Sequence, residues 1–163
     1  MDKKILLVDD AAFMRMLIRN TLTTNGYTNI LEAADGEIAV STYTAEKPDL
    51  VIMDITMPNK TGIEALKDIK ASDPAAKVVM CSAMGQEAMV VEAIKLGALD
   101  FIVKPFKPDR ILQTVQKVLD RARHARKHDW REYEFYKSQI SFAARSNLEY
   151  EDGIRRLCLI LEL

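Results

Sequence analysis

Short apolar runs alternate with segments of helical periodicity up to about residue 120. The runs are rich in β-branched residues and apolar at consecutive positions, which is typical of strands covered on both faces. They predict five strands, at residues 4–8, 30–33, 50–53, 78–81 and 101–103. Amphipathic segments predict five helices, at residues 13–25, 37–46, 63–72, 86–96 and 109–119.

Glycine and proline mark the boundaries of several of these elements. Gly26 and Gly97 follow predicted helices, where glycine commonly ends a helix, and Pro48 and Pro74 precede the next strands. Strands that alternate with helices through short loops predict an α/β fold whose parallel sheet is wound on both sides. Ligands bind such sheets at the carboxyl ends of the strands.

Residues 121–163 depart from this pattern. Their apolar positions continue one helical face, which predicts a helical C-terminal extension with a break near Asn147. The segment is too short for a core of its own, and its apolar end at residues 157–161 is poorly soluble unless it is covered. We therefore expect it to pack on the main domain, to mediate self-association, or to dock a partner. The alternative is that it is part of a truncated region of a longer protein.

Composition narrows the class of protein. The 163 residues include 23 Lys and Arg and 24 Asp and Glu, and this balance argues against a dedicated nucleic-acid binder. No apolar run approaches the roughly 20 residues that span a bilayer, and the start of the chain does not resemble a signal peptide. The two cysteines, Cys81 and Cys158, form no disulfide or metal framework. We expect a cytoplasmic protein with reduced thiols.

Two further binding hypotheses concern the extension, and in each case an explanation without binding is favoured. His124 and His128 share a helical face and could bind a metal, but no third ligand is evident. A basic run followed by aromatic residues could contact nucleic acid, although interspersed acids favour a solvated helix face. The residues concerned are Arg121, Arg123, Arg126, Lys127, Trp130 and Tyr133.

Charged and hydroxyl side chains follow four of the predicted strands. Asp9 and Asp10 follow the first strand, Asp54 the third, Ser82 the fourth and Lys104 the fifth. If the first and third strands are neighbours, three carboxylates share one pocket and need a cation, and oxygen ligands suit Mg²⁺. Each residue alone is usually a turn or capping residue. Together they describe a site for a phosphoryl group on a carboxylate.

These residues resemble the signature of two-component response-regulator receiver domains. The matching motifs are Asp9-Asp10, Met53-Asp54 with Met57-Pro58, Ser82-Ala83 and Lys104-Pro105-Phe106. Residues 9–15, 53–58 and 81–86 are particularly similar to the chemotaxis type, the CheY group. The resemblance covers residues 1–120 and implies a flavodoxin-like, doubly wound five-stranded sheet of order 2-1-3-4-5. Residues 1–120 would then form the receiver domain and 121–163 the extension.

The resemblance implies a phosphoacceptor and a metal site. Asp54 would accept the phosphoryl group. Asp10, Asp54 and the backbone carbonyl of Thr56 would bind Mg²⁺, and Asp9 would act largely through a metal-bound water. The domain would assist its own phosphorylation and dephosphorylation without being a conventional enzyme. Thr56 and Met84 occupy positions that tune phosphoryl lifetime, and neither is an amide or acid that orients water, so we expect slow self-dephosphorylation.

The resemblance also implies a switch. Ser82 and Lys104 would bind the phosphoryl group, and the Lys104–Pro105 peptide bond would be cis. Phe101 occupies the position of an aromatic switch residue, where a tyrosine is frequent, and without a hydroxyl it can act only by packing. Helix four, strand five and helix five, with Lys95 and Lys107, would form the face that changes its preferred partner.

The function implied is phosphorylation-dependent signalling. A histidine kinase, or a small acyl phosphate, would donate the phosphoryl group, and chemotaxis signalling to a flagellar motor switch protein is the leading assignment, with a phosphatase as a further partner. The alternative is a receiver of a non-chemotaxis regulator whose tail drives oligomerisation or a transcription-linked output. Neither a membrane nor a nucleic acid is expected as a partner.

Two other functional classes fit the residues less well. A flavodoxin that binds FMN needs a glycine- and hydroxyl-rich loop after the first strand, and the charges of Asp9 and Asp10 would repel a phosphate without a metal. A phosphatase-type hydrolase would use an aspartate after the first strand as its nucleophile and would carry a second acid two positions later. This chain has Ala12 at that later position.

Overall fold

The computed structural model of the protein describes residues 2–120. The predicted extension, its break near Asn147 and the histidine pair all lie outside the described residues. No helix within residues 2–120 is both long and apolar enough to cross a bilayer. Strands and helices alternate strictly, as predicted. In chain order the elements are β1 (Ile5–Val8), α1 (Ala12–Thr24), β2 (Ile30–Ala33), α2 (Gly36–Glu46), β3 (Leu50–Asp54), α3 (Gly62–Ser72), β4 (Val78–Ala83), α4 (Glu87–Lys95), β5 (Asp100–Lys104) and α5 (Pro108–Asp120).

The strands form one parallel sheet in the order β2-β1-β3-β4-β5, which confirms the predicted topology. β1 lies beside β3, and their register pairs Val8 with Met53. The residues that follow this pair, Asp9 and Asp54, therefore lie side by side at the carboxyl edge of the sheet. At the same edge, Ala83 of β4 pairs with Lys104 of β5.

Two apolar layers cover the sheet, one on each face. The larger layer packs β1, β3, β4 and β5 against α2, α3 and α4. The smaller layer packs the alternate strand residues against α1 and α5. Every residue of β1 and β3 is buried as a result, which explains why their sequences are apolar at consecutive positions.

The loop between β3 and α3 folds back tightly on the end of β3. The Gly62 N–H donates to the carbonyl oxygen of Ile55 at 2.8 Å. A capping box then starts α3, because the Thr61 hydroxyl accepts from the Glu64 N–H and the Glu64 carboxylate accepts from the Thr61 N–H. A Cβ at Gly62 would lie 2.0 Å from the carbonyl oxygen of Asp54. Only glycine lets this loop approach the strand so closely.

We predict that Gly62→Ala destabilises the protein by about 1–3 kcal/mol, because the added methyl group meets backbone rather than a movable side chain. Urea unfolding monitored by circular dichroism measures this loss. Lys67→Ala, at an exposed position of the same helix, is the control and should change stability by less than about 0.5 kcal/mol. Equal stability of Gly62→Ala and the wild-type protein would show that the loop has room to move.

Candidate functional site

Three carboxylates meet where β1 and β3 end. Asp9, Asp10 and Asp54 each offer an oxygen, and these oxygens lie within 4.8 Å of one another. Asp9 and Asp54 are buried, whereas Asp10 is exposed to solvent. The sheet order produces this group, because β1 and β3 are direct neighbours. Such a set of oxygen ligands fits a hard divalent cation such as Mg²⁺.

Lys104 provides the positive charge of the site. It is the last residue of β5, and its side chain reaches past the end of β4 to the acids. Its Nζ lies 2.8 Å from Asp9 Oδ2 and 3.3 Å from Asp54 Oδ2. Burial disfavours the ammonium form, but the hydrogen bond to Asp9 and the charge of Asp54 outweigh it, so the pKa of Lys104 is raised. The lysine therefore stays charged between the two carboxylates.

The surroundings of Lys104 favour its charged form, whereas those of Asp54 favour its uncharged form. Burial raises the pKa of its carboxyl group, Lys104 lowers it, and the charges of Asp9 and Asp10 raise it again. The net shift is upward with burial as its largest cause, so the contact with Lys104 does not outweigh burial and the neighbouring acids together. An additional cation would favour the ionised form of Asp54.

Ser82 lies in β4, next to these charges. Its Oγ is fully buried and has no hydrogen-bond partner within residues 2–120. Most buried hydroxyl groups in proteins are hydrogen-bonded, because burying an unpaired one costs free energy. Ser82 therefore holds a donor that an acceptor entering the site can use.

Cys81 precedes Ser82 and pairs with Asp54 in the sheet register. Burial raises the pKa of the Cys81 thiol to about 12. The thiol is therefore neutral at physiological pH and is a poor ligand for a metal ion. The atoms that can bind a ligand at this edge of the sheet are therefore oxygen and nitrogen atoms.

Asp9 is held in place by two neighbours that sequence reasoning did not identify. Its Oδ1 accepts a hydrogen bond from the Ala11 N–H at 2.9 Å. Arg15 donates from Nη1 to the Asp9 carbonyl oxygen at 2.6 Å, and its Nε pairs with Glu32 at 2.9 Å. These bonds fix the backbone that carries the Asp9-Asp10 pair.

A glutamine that sequence reasoning also missed lies at the rim of the site. The Gln86 Oε1 accepts from the Ala83 N–H at 2.7 Å, and its Nε2 donates to the Thr56 hydroxyl at 2.7 Å. Thr56 is exposed in the loop after β3. The sequence carried no signal for this contact, because Gln86 and Thr56 lie 30 residues apart in two loops.

Phe101, Met84 and the Lys104–Pro105 peptide bond complete the set of residues expected at the site. Phe101 is fully buried in the larger apolar layer, so in this conformation it adds no surface to the face that carries the exposed Lys95 and Lys107. Met84 is 44% exposed beside the site. The peptide bond between Lys104 and Pro105 is cis.

Comparisons with known proteins agree with this geometry. The family "Response regulator receiver domain" matches residues 5–116. Chemotaxis protein CheY of Thermotoga maritima is 56% identical over 118 residues, which cover 72% of this chain and 98% of the relative. Chemotaxis protein CheY of Bacillus subtilis is 55% identical over 120 residues, 74% of this chain and 100% of the relative. The crystal structure of the receiver domain of NtrX from Brucella abortus superposes with a TM-score of 0.70 at 35% identity, covering 73% of this chain and all of that one.

The raised pKa of Asp54 has a consequence for stability. The carboxyl group binds its proton more tightly in the folded than in the unfolded chain, so the folded protein loses stability as the pH rises through the window between the two pKa values. Asparagine does not ionise. In the absence of divalent cations, Asp54→Asn should therefore be more stable than the wild-type protein at neutral pH, and the two should converge at pH values below the ordinary carboxyl range.

Urea unfolding in a chelator over a pH series measures this difference, with the exposed Asp2→Asn variant as the control. Added Mg²⁺ should stabilise the wild-type protein and reduce the gap, because a ligand that binds only the folded state stabilises it. A variant that is less stable than the wild-type protein at neutral pH would contradict the electrostatic balance described for Asp54.

Proposed function

Because the chain belongs to the family of response regulator receiver domains, we propose that it is a signalling domain switched by phosphorylation of Asp54 with Mg²⁺. Two relatives are named as chemotaxis proteins, which supports a role in chemotaxis. A receiver domain implies a histidine kinase as partner, and chemotaxis receivers suggest a flagellar motor switch protein and a phosphatase as further partners.

The observation that carries the proposal is the meeting of three carboxylates with one lysine. The acids lie within 4.8 Å of one another, and Lys104 contacts Asp9 and Asp54 together. Asp10, Asp54 and the carbonyl oxygen of Thr56 would hold Mg²⁺, with Asp9 acting through a bound water. When bound, Mg²⁺ supplies charge that neutralises the carboxylates and the phosphoryl oxygens.

Asp54 is the nucleophile in this scheme. One of its carboxylate oxygens attacks the phosphorus atom of a phosphohistidine or a small acyl phosphate. The bond from phosphorus to the donor nitrogen or oxygen breaks, and its electron pair leaves with the imidazole or the carboxylate. Lys104 exchanges its contact with Asp54 for a contact with a phosphoryl oxygen, and it keeps neutralising charge as the group is transferred.

Ser82 would transmit the change of charge into the fold. Its buried hydroxyl, which has no partner within residues 2–120, donates to a phosphoryl oxygen and is drawn towards Asp54. Ser82 belongs to β4, which pairs with the strand that carries Phe101. Phe101 responds by repacking among apolar side chains, which alters the face formed by α4, β5 and α5. That face selects the downstream partner.

The proposed division of the chain assigns residues 1–120 to the receiver domain and 121–163 to an extension. The family match ends at residue 116, and the two chemotaxis relatives match 118 and 120 residues, which supports a boundary near residue 120. We propose that the extension adds a property of its own, through self-association or an output partner.

Incubation with acetyl phosphate and Mg²⁺ should label the wild-type protein, and Asp54→Asn should lose essentially all incorporation because it lacks the attacking carboxylate. Mass spectrometry at low temperature measures the added phosphoryl group. Asp109→Asn, at an exposed position in the first turn of α5, is the control and should be labelled like the wild-type protein. Labelling of Asp54→Asn would show that another residue is the phosphoacceptor.

Loss of the phosphoryl group should be slow without a phosphatase, since neither Thr56 nor Met84 presents an acid to the attacking water. Met84→Glu would place a carboxylate at the exposed position beside the site, and we expect it to accelerate hydrolysis about tenfold by acting on the water. Release of inorganic phosphate from purified phosphoprotein measures both rates. Rapid loss of the phosphoryl group from the purified wild-type protein, with no phosphatase present, would contradict the expectation.

A further inference from the structure

A side-chain bridge joins the end of β4 to the loop that follows β3. Gln86 accepts from the N–H of Ala83, the last residue of β4, and donates to the Thr56 hydroxyl in the loop after β3, with both distances 2.7 Å. We call these two hydrogen bonds the Gln86 bridge. The transfer scheme described for Asp54 and Lys104 does not use them. They nevertheless tie down the residue after Ser82 and the second residue after Asp54.

Two neighbouring hydrogen-bond donors lie at the end of β4, the Ser82 hydroxyl and the Ala83 N–H, and only one of them has an acceptor within residues 2–120. The Ser82 hydroxyl has no partner within residues 2–120, whereas the N–H of the next residue, Ala83, is occupied by a neutral carboxamide. Ala83 is the last residue of β4 and pairs with Lys104, so its N–H lies at the same edge of the sheet as the acids. The acceptor on this N–H belongs to a half-buried glutamine side chain, and rotation about its single bonds allows it to be displaced.

We propose that Gln86 is a positioning residue that occupies the Ala83 N–H in the unmodified protein and is displaced from it by a phosphoryl oxygen on Asp54. The inference rests on the proposed function. A phosphoryl oxygen carries negative charge, and hydrogen bonds to charged acceptors are roughly twice as strong as those between neutral groups. The exchange therefore favours the phosphoryl group once it is attached. The Gln86 bridge then breaks at both ends.

The bridge also connects the site to α4. Gln86 directly precedes this helix, and its backbone carbonyl oxygen accepts from the Val90 N–H at 3.0 Å in the first turn. Release of the side chain therefore frees the start of α4 from the loop that carries Thr56. Because the bridge exists only in the unmodified arrangement, it stabilises that arrangement and lowers the affinity for a phosphoryl group.

Titration of the full 163-residue chain with beryllofluoride, a phosphoryl mimic, in the presence of Mg²⁺ tests the inference. Gln86→Met keeps the length of the side chain but makes neither hydrogen bond. Calorimetry should show that this variant binds beryllofluoride about three- to tenfold more tightly than the wild-type protein, which corresponds to the loss of one or two ordinary hydrogen bonds from the unmodified state. The matched control, Gln116→Met on the exposed face of α5, should bind like the wild-type protein.

A second measurement needs no variant. The side-chain NH₂ resonances of Gln86 in the wild-type protein should move to the values of a solvent-exposed glutamine when beryllofluoride and Mg²⁺ are added. A residue with only a structural role would keep its shifts. Unchanged Gln86 resonances, or equal or weaker binding by Gln86→Met, would overturn the inference while the wild-type protein still binds the mimic. Failure of the wild-type protein to bind it would instead overturn the proposed function, and the inference with it.

Discussion

The crowding of three carboxylates at one edge of the sheet is the constraint on which the rest of the site depends. The strand order places β1 beside β3, so the buried Asp9 and Asp54 cannot move apart without breaking the sheet. Lys104 holds both acids from the far side of β4, but the pKa of Asp54 is still raised. Three carboxylates and one ammonium group meet at this edge of the sheet, and this set of oxygen ligands suits the site to a divalent cation.

Much of this arrangement could be predicted from the sequence, because it depends on periodicity and on strand ends. Burial on both faces leaves a continuous apolar run, so β1 and β3 could be recognised without any knowledge of their partners. Polar residues that end such runs must then gather at one edge, since parallel strands share a direction. The order of the strands is different, because it depends on crossovers that periodicity does not encode. It was predicted from a resemblance to a known family.

The contacts that escaped prediction are made by long side chains in or near loops. Arg15 holds the Asp9 backbone from the first turns of α1, and Gln86 reaches Thr56 across 30 residues of chain. Such contacts depend on where two separate loops fall in space and on the rotamer that a flexible side chain adopts, and a local pattern specifies neither. The burial of Phe101, by contrast, agrees with the predicted strand at residues 101–103, whose apolar positions are consecutive.

In the proposed scheme, switching exchanges one set of polar contacts for another. Lys104 gives up a carboxylate contact for a phosphoryl contact, the Ala83 N–H gives up an amide acceptor for a charged one, and only Ser82 gains a bond where it had none within residues 2–120. Most losses are offset by gains, so the free-energy difference between the two states is smaller than the sum of the energies of the individual contacts. A small difference lets one covalent group, or one partner bound to the face of α4, β5 and α5, shift the population of the whole domain.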